Sequence, residues 1–312
     1  MSRAGAIDIA ILTGSHLCRN PRVVKEANAL AEAGYTVSVL SVWTRKDWLQ
    51  LDRTLLHPDV AYDGIDLTDW TGPKSVFLRL VKRAFGEMNR IFNMESIHSL
   101  NYGLPALSRL AKKQRAALYI AHQETGLAIG CRLLNEKYKV AFDLEDWYSK
   151  DLLPEARQTR PVKLLEEMER QALHHGAFAV TTSGAMAYEM GRYFQCPPPQ
   201  VILNVFPRQE TAFLRNAVSP LRLIWFSQTI GPGRGLEEML DSISSLEDVR
   251  LEIHLLGDID PGYRSRLGEL VRHPDNHRLF FHPIVPPAEL NRTLSRYDAG
   301  LALERPFRKA AT

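Results

Sequence analysis

The sequence predicts a mixed α/β protein made of two successive doubly wound parallel-sheet domains. Three observations carry this. Compact apolar runs alternate with segments of helical period along nearly the whole chain. A polar, proline-bounded stretch around 204–220 separates two such series. The length, 312 residues, matches about two average domains. We therefore expect an N-terminal domain over 1–205, a linker over 206–220 and a shorter C-terminal domain over 221–312.

Each element follows from its residues. The run 7–13 is compact, apolar and Ile-rich, as expected of a buried parallel strand. Pro21 opens a helix whose apolar positions Val23, Val24, Ala27, Leu30 and Ala31 fall on one face. Gly34 stands where a C-terminal cap belongs, and 35–42 returns as a strand, completing a β-α-β unit. Residues 43–75 have little period and resist assignment. The spacing then predicts helices over 74–92, 104–115, 126–138, 162–175 and 184–194. Strands are expected over 117–121, 140–144, 177–182 and 201–203. After the linker, strands over 221–226, 251–256, 279–282 and 299–303 alternate with helices over 236–246, 263–272 and 287–296.

The composition is 45% hydrophobic and 24% charged, which excludes a disordered chain, a collagen-like fibre and a coiled coil. No apolar run approaches the ~18–20 residues of a spanning helix. Cys18, Cys131 and Cys196 are scattered and form no CxxC pair, which suits a reducing cytoplasm and argues against a zinc site. No stretch has metal-ligand spacing, so no metal is expected. Net charge is only +3, but residues 74–115 hold nine Lys/Arg against Glu87 and Glu95. Such an excess suggests an anionic neighbour. Arg79, Lys82, Arg83 and Arg90 interleave with Phe77, Leu80, Val81 and Phe92, which fits either an anionic membrane surface or an amphipathic helix packed on the core. No aromatic-basic platform accompanies them, so nucleic acid is not expected.

In open parallel sheets ligands bind beyond the carboxyl ends of the strands, and two such domains in series point to a cleft. The candidates are therefore loops after strands. Gly14 and Ser15, with Arg19 and Arg22 behind them, let a ligand approach the backbone at a helix start, or form a tight turn. His122 can be a base, a ligand contact or a helix cap. Asp143, Glu145 and Asp146 put three carboxylates in four residues at a strand end, for general base work, for gripping sugar hydroxyls, or for capping. In the second domain, Thr229, Gly231, Gly233 and Arg234 lie in a glycine-rich strand-to-helix segment suited to a diphosphate. It matches neither the Walker spacing nor the dinucleotide fingerprint. Gly257 follows the next strand.

Several pieces, in order, resemble the glycogen-synthase-like group of retaining GT-B glycosyltransferases (family 4). They are the Arg22-Val-Val-Lys-Glu-Ala helix, the Phe-Asp-Leu-Glu-Asp strand end at 142–146, Val180-Thr-Thr-Ser183 and Val201-Ile-Leu-Asn204. Phe226 to Gly235, Leu255-Leu-Gly257 and Tyr297-Asp-Ala-Gly-Leu complete the set. The resemblance implies two Rossmann-like domains facing a cleft. It also implies transfer of a sugar from a UDP- or GDP-linked donor, with retention and without metal, to a polysaccharide or lipid-linked acceptor at the inner face of a membrane. Glu145, Asp146 and His122 would then be catalytic, and Gly14, Ser15, Arg19 and Arg22 acceptor-binding. Thr229, Gly231, Gly233, Arg234, Gly257 and Glu304 would bind the donor. Arg234 stands where the group has Lys, Thr229 where it has Arg, and Glu145 where many members have His. The group's two Glu separated by seven residues are not both present: Glu304 has no partner before Thr312, and the second domain is read as incomplete. A non-catalytic relic or partner subunit and, more remotely, a dinucleotide-dependent oxidoreductase are the other readings.

Overall fold

A computed structural model describes residues 7–151, 157–205 and 220–303. The chain divides into two compact units, residues 1–205 and 206–312. Glu304, the tail 305–312 and linker positions 206–219 lie outside the described residues.

The first unit is a seven-stranded sheet in the order β3-β2-β1-β4-β5-β6-β7, all parallel. Its strands are β1 (Ile9–Leu12), β2 (Val37–Trp43), β3 (Ala61–Asp66), β4 (Leu118–His122), β5 (Val140–Leu144), β6 (Ala179–Thr181) and β7 (Gln200–Val201). Its helices are α1 (Pro21–Glu32), α2 (Lys46–Leu55), α3 (Pro73–Phe92), α4 (Leu104–Gln114), α5 (Gln123–Asn135), α6 (Val162–His175) and α7 (Gly184–Phe194). The central strands β1, β2, β4 and β5 are buried on both faces, because their side chains alternate between two packed layers. Ile9, Ile11, Val37, Val39 and Ile120 pack against Leu17 and, from α1, Val23 and Ala27. Ala10, Leu12, Leu40, Tyr119 and Phe142 pack, on the other face, against Leu107, Leu127 and Leu165 of α4, α5 and α6. The cap expected at Gly34 is a Schellman motif: φ is +90°, Gly34 N–H donates to Ala31 O and Tyr35 N–H to Leu30 O.

The second unit is a four-stranded parallel sheet in the order β10-β9-β8-β11. It contains β8 (Leu221–Ile230), α8 (Leu236–Ile243), β9 (Leu251–Ile259), α9 (Pro261–Glu269), β10 (His277–His282), α10 (Pro287–Leu294) and β11 (Ala299–Gly300). Trp225, Leu236, Leu240, Ile253, Leu255 and Leu267 form its core.

Three differences from the sequence reading matter. The unassigned stretch 43–75 contains α2 and β3. Strand β8 runs through the expected turn at Ser227, because a bulge between Phe226 and Thr229 lets pairing resume at Thr229 with Asp258. Helix α3 points apolar side chains both ways: Leu78 packs on the core, while Phe77, Leu80, Ile91 and Phe92 are 59–67% exposed.

Candidate active site

In the first unit the strand order reverses direction between β1 and β4, so the loops after these strands diverge and leave a crevice. A cavity of about 410 Å³ lies there, lined among others by Gly14, Ser15, Asn101, Gln123, Asp146 and Tyr148. Its floor is tied by Gln123, which begins α5 with φ +59°. Gln123 Oε1 accepts from Thr13 Oγ1 (2.9 Å), Gly14 N–H (3.1 Å) and Ser15 Oγ (3.0 Å). Asn101 Nδ2 donates to Gly14 O at 2.7 Å. A Cβ on Gly14 would lie 2.2 Å from Thr125 Oγ1, and one on Gly126 2.5 Å from Leu12 O. Both glycines thus let α5 sit directly on the end of β1.

A buried ion cluster lies beside this loop. His122 ends β4 fully buried, with Nδ1 2.9 Å from Glu145 Oε1 and Nε2 2.5 Å from Glu26 Oε2. Asp143 Oδ2 is 3.9 Å from Nδ1 and accepts from Arg22 Nε at 2.7 Å. Arg22 also donates to Ile202 O, and Asn20 Nδ2 to Glu145 Oε1. Burial alone would drive the His122 proton off, but hydrogen bonds to Glu145 and Glu26 and the charges of Glu26 and Asp143 outweigh it, raising the pKa to about 10. Burial raises the Asp143 carboxyl despite the opposing pull of His122 and Arg22. Ligand atoms of Glu26, His122 and Asp143 lie within 4.8 Å of one another. In the metal-free chain the imidazolium donates from both nitrogens, which makes this set an ion cluster.

Asp146, one residue past Glu145, is open to the cavity, while surrounding protein still strips its carboxyl of hydration. Burial, reinforced by the charges of Asp151 and Glu145, raises its pKa to about 6. Tyr148 in the same wall is buried, and its hydroxyl has no hydrogen-bond partner among the described residues. The structure thus brings Gly14, Ser15 and Asp146 around one cavity. His122, Glu145 and Arg22 stand in the cluster and do not line it. His122 holds the N-cap position of α5, but its side chain makes no capping bond. Arg19 lies elsewhere, with its guanidinium 5.1 Å from the Trp48 ring centre. Gln123, Glu26 and Asn101 were missed as site residues, and only the polar run after β4 signals Gln123.

In the second unit Thr229 is in β8, and Gly231, Gly233 and Arg234 form the loop into α8. Gly233 and Gly235 have φ of +80° and +77°. A Cβ on Gly235 would lie 2.3 Å from Leu303 O, and one on Gly257 2.4 Å from Ser227 O. Gly231 has no atom of the described residues within 4 Å of that position. Arg234 is exposed and has no ion-pair partner among the described residues. The loop therefore offers open backbone and a free guanidinium at a helix start, a combination suited to a phosphate.

No protein-family model matches this chain, and no curated protein matches it in sequence. Solved structures do match in fold. Sucrose-phosphate synthase from Thermosynechococcus elongatus superposes with a TM-score of 0.63 at 13% identity, over 95% of this chain and 75% of that one. Anabaena HepE, solved in complex with UDP and glucose, gives 0.58 at 13% identity, over 94% and 73%. UDP-GlcNAc 2-epimerase from Neisseria meningitidis, bound to UDP-GlcNAc, gives 0.52 at 12% identity, over 94% and 77%. By these likenesses the chain has the fold of GT-B glycosyltransferases, a fold shared with a nucleotide-sugar epimerase.

Proposed function

We propose that the protein is a glycosyltransferase that takes a sugar from a UDP- or GDP-linked donor, with retention, and passes it to a polysaccharide or lipid-linked acceptor. The observation that carries this reading is the loop 231–235. Its open glycine backbone and unpaired Arg234 suit a diphosphate, and Gly235 and Gly257 admit no side chain. The donor belongs to the second unit, with Thr229, Gly231, Gly233, Arg234 and Gly257 around it, and the acceptor to the first. Arg234 neutralises the charge that grows on the leaving diphosphate as the glycosidic bond breaks. No metal is assigned to this step.

Asp146 lines the acceptor cavity with a pKa of about 6, so near neutral pH it is mostly ionised and can accept the hydrogen of an acceptor hydroxyl. Gly14 and Ser15 shape the cavity. His122, Glu145 and Arg22 act as positioning residues: their charges tie the ends of β4 and β5 to the start of α1. Arg19 stays an acceptor-side residue only through the outer surface of the loop. Helix α3 adds a membrane-facing role. Phe77, Leu80, Ile91 and Phe92 are exposed, with Lys74, Arg83 and Arg90 also exposed along the helix, so apolar insertion and attraction to anionic lipid act together.

Thermal melting with UDP, GDP, ADP, their sugar conjugates and NAD tests the reading, because a ligand that binds only the folded state raises its stability. Stabilisation by one nucleoside diphosphate supports transfer, and stabilisation by NAD alone favours an oxidoreductase. A cooperative melt unmoved by all of them leaves a relic without donor chemistry. Product NMR on the anomeric centre separates retention from inversion.

A further inference from the structure

The first unit has a second cavity that the proposed chemistry does not use. It has about 660 Å³ and lies between the C-terminal end of α3 and the start of α6. Among the described residues, Arg90 (ion-paired with Glu87), Arg160 (ion-paired with Glu124), Arg157 and Lys163 line it, with one carboxylate, Glu95. That carboxylate is already engaged, accepting from Lys163 N–H (3.1 Å) and Leu164 N–H (2.6 Å) at the first turn of α6. The described groups therefore leave a modest cationic excess, four Lys/Arg against Glu87, Glu95 and Glu124.

Two polar atoms in the same wall are buried without partners among the described residues: Arg160 Nε, a donor, and Asn89 Oδ1, an acceptor. Asn89 is 6% exposed and held in place by its Nδ2, which donates to Arg160 O at 2.8 Å. An unmet donor beside this cationic excess suits a phosphate oxygen, and an unmet acceptor next to it suits a hydroxyl. The ligand class is a phosphate ester that carries a free hydroxyl.

The rim decides between a soluble and a lipid source. Ile91 lines the cavity and is 59% exposed, and Phe92 and Met94 beside it are 67% and 55% exposed. A soluble ester has no use for this apolar rim, whereas a lipid seats its acyl boundary there. We propose that this cavity binds the headgroup of an anionic, hydroxyl-bearing phospholipid, with Ile91, Phe92 and Met94 in the acyl boundary. The proposal rests on the membrane reading of α3 and is independent of the transfer chemistry.

The test compares co-sedimentation with phosphatidylcholine vesicles containing phosphatidylglycerol or, at equal mole fraction, phosphatidylserine. Both lipids carry one negative charge, but only the first has headgroup hydroxyls. The expected result is a preference of about tenfold for phosphatidylglycerol, the scale of one or two charge-assisted hydrogen bonds. Lys163→Gln with Arg90→Gln, both at exposed positions, should bring the preference close to one. Asn89→Asp keeps the shape, turns the wall against phosphate and should do the same. Phe77→Ser with Leu80→Ser, far along α3, should weaken binding to both vesicles alike and leave the ratio intact. Equal binding to the two lipids, or a preference that survives both cavity variants while they melt like the parent, overturns the proposal. Glycerol 3-phosphate saturating the vesicle-free protein with no vesicle preference makes the ligand a soluble ester and overturns it as well. Failure to bind either vesicle overturns it together with the membrane reading and leaves donor binding untouched.

Discussion

Glu124 lines the cavity that holds Asp146, Arg160 lines the basic cavity, and the two side chains are ion-paired. One salt bridge thus belongs to both walls. Each partner is 20% exposed, so the pair is only partly screened. Glu124→Gln should release Arg160 for anions and tighten glycerol 3-phosphate or phosphatidylglycerol binding by roughly fivefold, about 1 kcal/mol. Isothermal titration checks this, and unchanged or weaker binding would show that Arg160 does not face the ligand.

Asp146 should leave a signature in the pH profile of transfer. With a pKa of about 6 it loses its base function below that pH, so kcat/KM should fall on the acid side through about 6. Asp146→Asn should cost on the order of 10²-fold in kcat and abolish that limb. A wild-type profile flat from about pH 5 to 7 would remove Asp146 from the chemistry.

His122 makes a stability prediction of definite sign. Its folded pKa, about 10, lies above the unfolded 6.5. The cluster's contribution is therefore complete below about pH 6.5 and is lost as pH rises towards 10. The stability gap between wild type and His122→Gln, measured by denaturant melts, should be largest near pH 6 and shrink by pH 10. A gap that grows over that range contradicts the imidazolium assignment. Glu26→Gln should lower the imidazole pKa in NMR titration.

Gly235 and Gly231 separate a backbone requirement from a ligand contact. Gly235→Ala places a Cβ 2.3 Å from Leu303 O at φ +77° and should cost about 1–3 kcal/mol. Gly231→Ala meets no atom of the described residues within 4 Å and should leave stability unchanged within ~0.5 kcal/mol. A diphosphate seated on this loop makes the second substitution lower nucleotide affinity all the same. Nucleotide titration of the stable Gly231→Ala protein reads it directly.

Arg234→Ala should weaken binding of the nucleoside diphosphate by roughly tenfold or more, the worth of a charged hydrogen bond to phosphate, without lowering the melting temperature of the free protein. Equal diphosphate affinity in the two proteins would place the donor elsewhere.

Much of this was legible because local pattern and tertiary role agree. Helices α6 and α7 and strand β5 stand where period predicts them, since each puts apolar residues at its own repeat against one core. Helix α2 was not legible. Its buried residue is Asp52, held by His16, Cys18 N–H and Tyr62, and a buried acid carries no apolar signal. Nor was β3, an edge strand whose residues are half or fully exposed. Asp146, Gly14 and Ser15 followed from the strand-end rule. Glu26 did not, because its partner His122 is 96 residues away, and no local spacing encodes that meeting.

The central place of β1 also governs how the chain must come into being. Its four residues are fully buried, yet its neighbour β4 is encoded roughly a hundred residues later. During synthesis β1 can pair with β2 early, but its other edge waits for Leu118 to emerge, on the order of 5–20 s at ~5–20 residues per second. For that interval the most apolar strand of the sheet presents an open hydrogen-bonding edge. The nascent first unit is therefore a natural client for a ribosome-bound chaperone, and slowing translation before residue 118 should lower the soluble yield more than slowing it after residue 122.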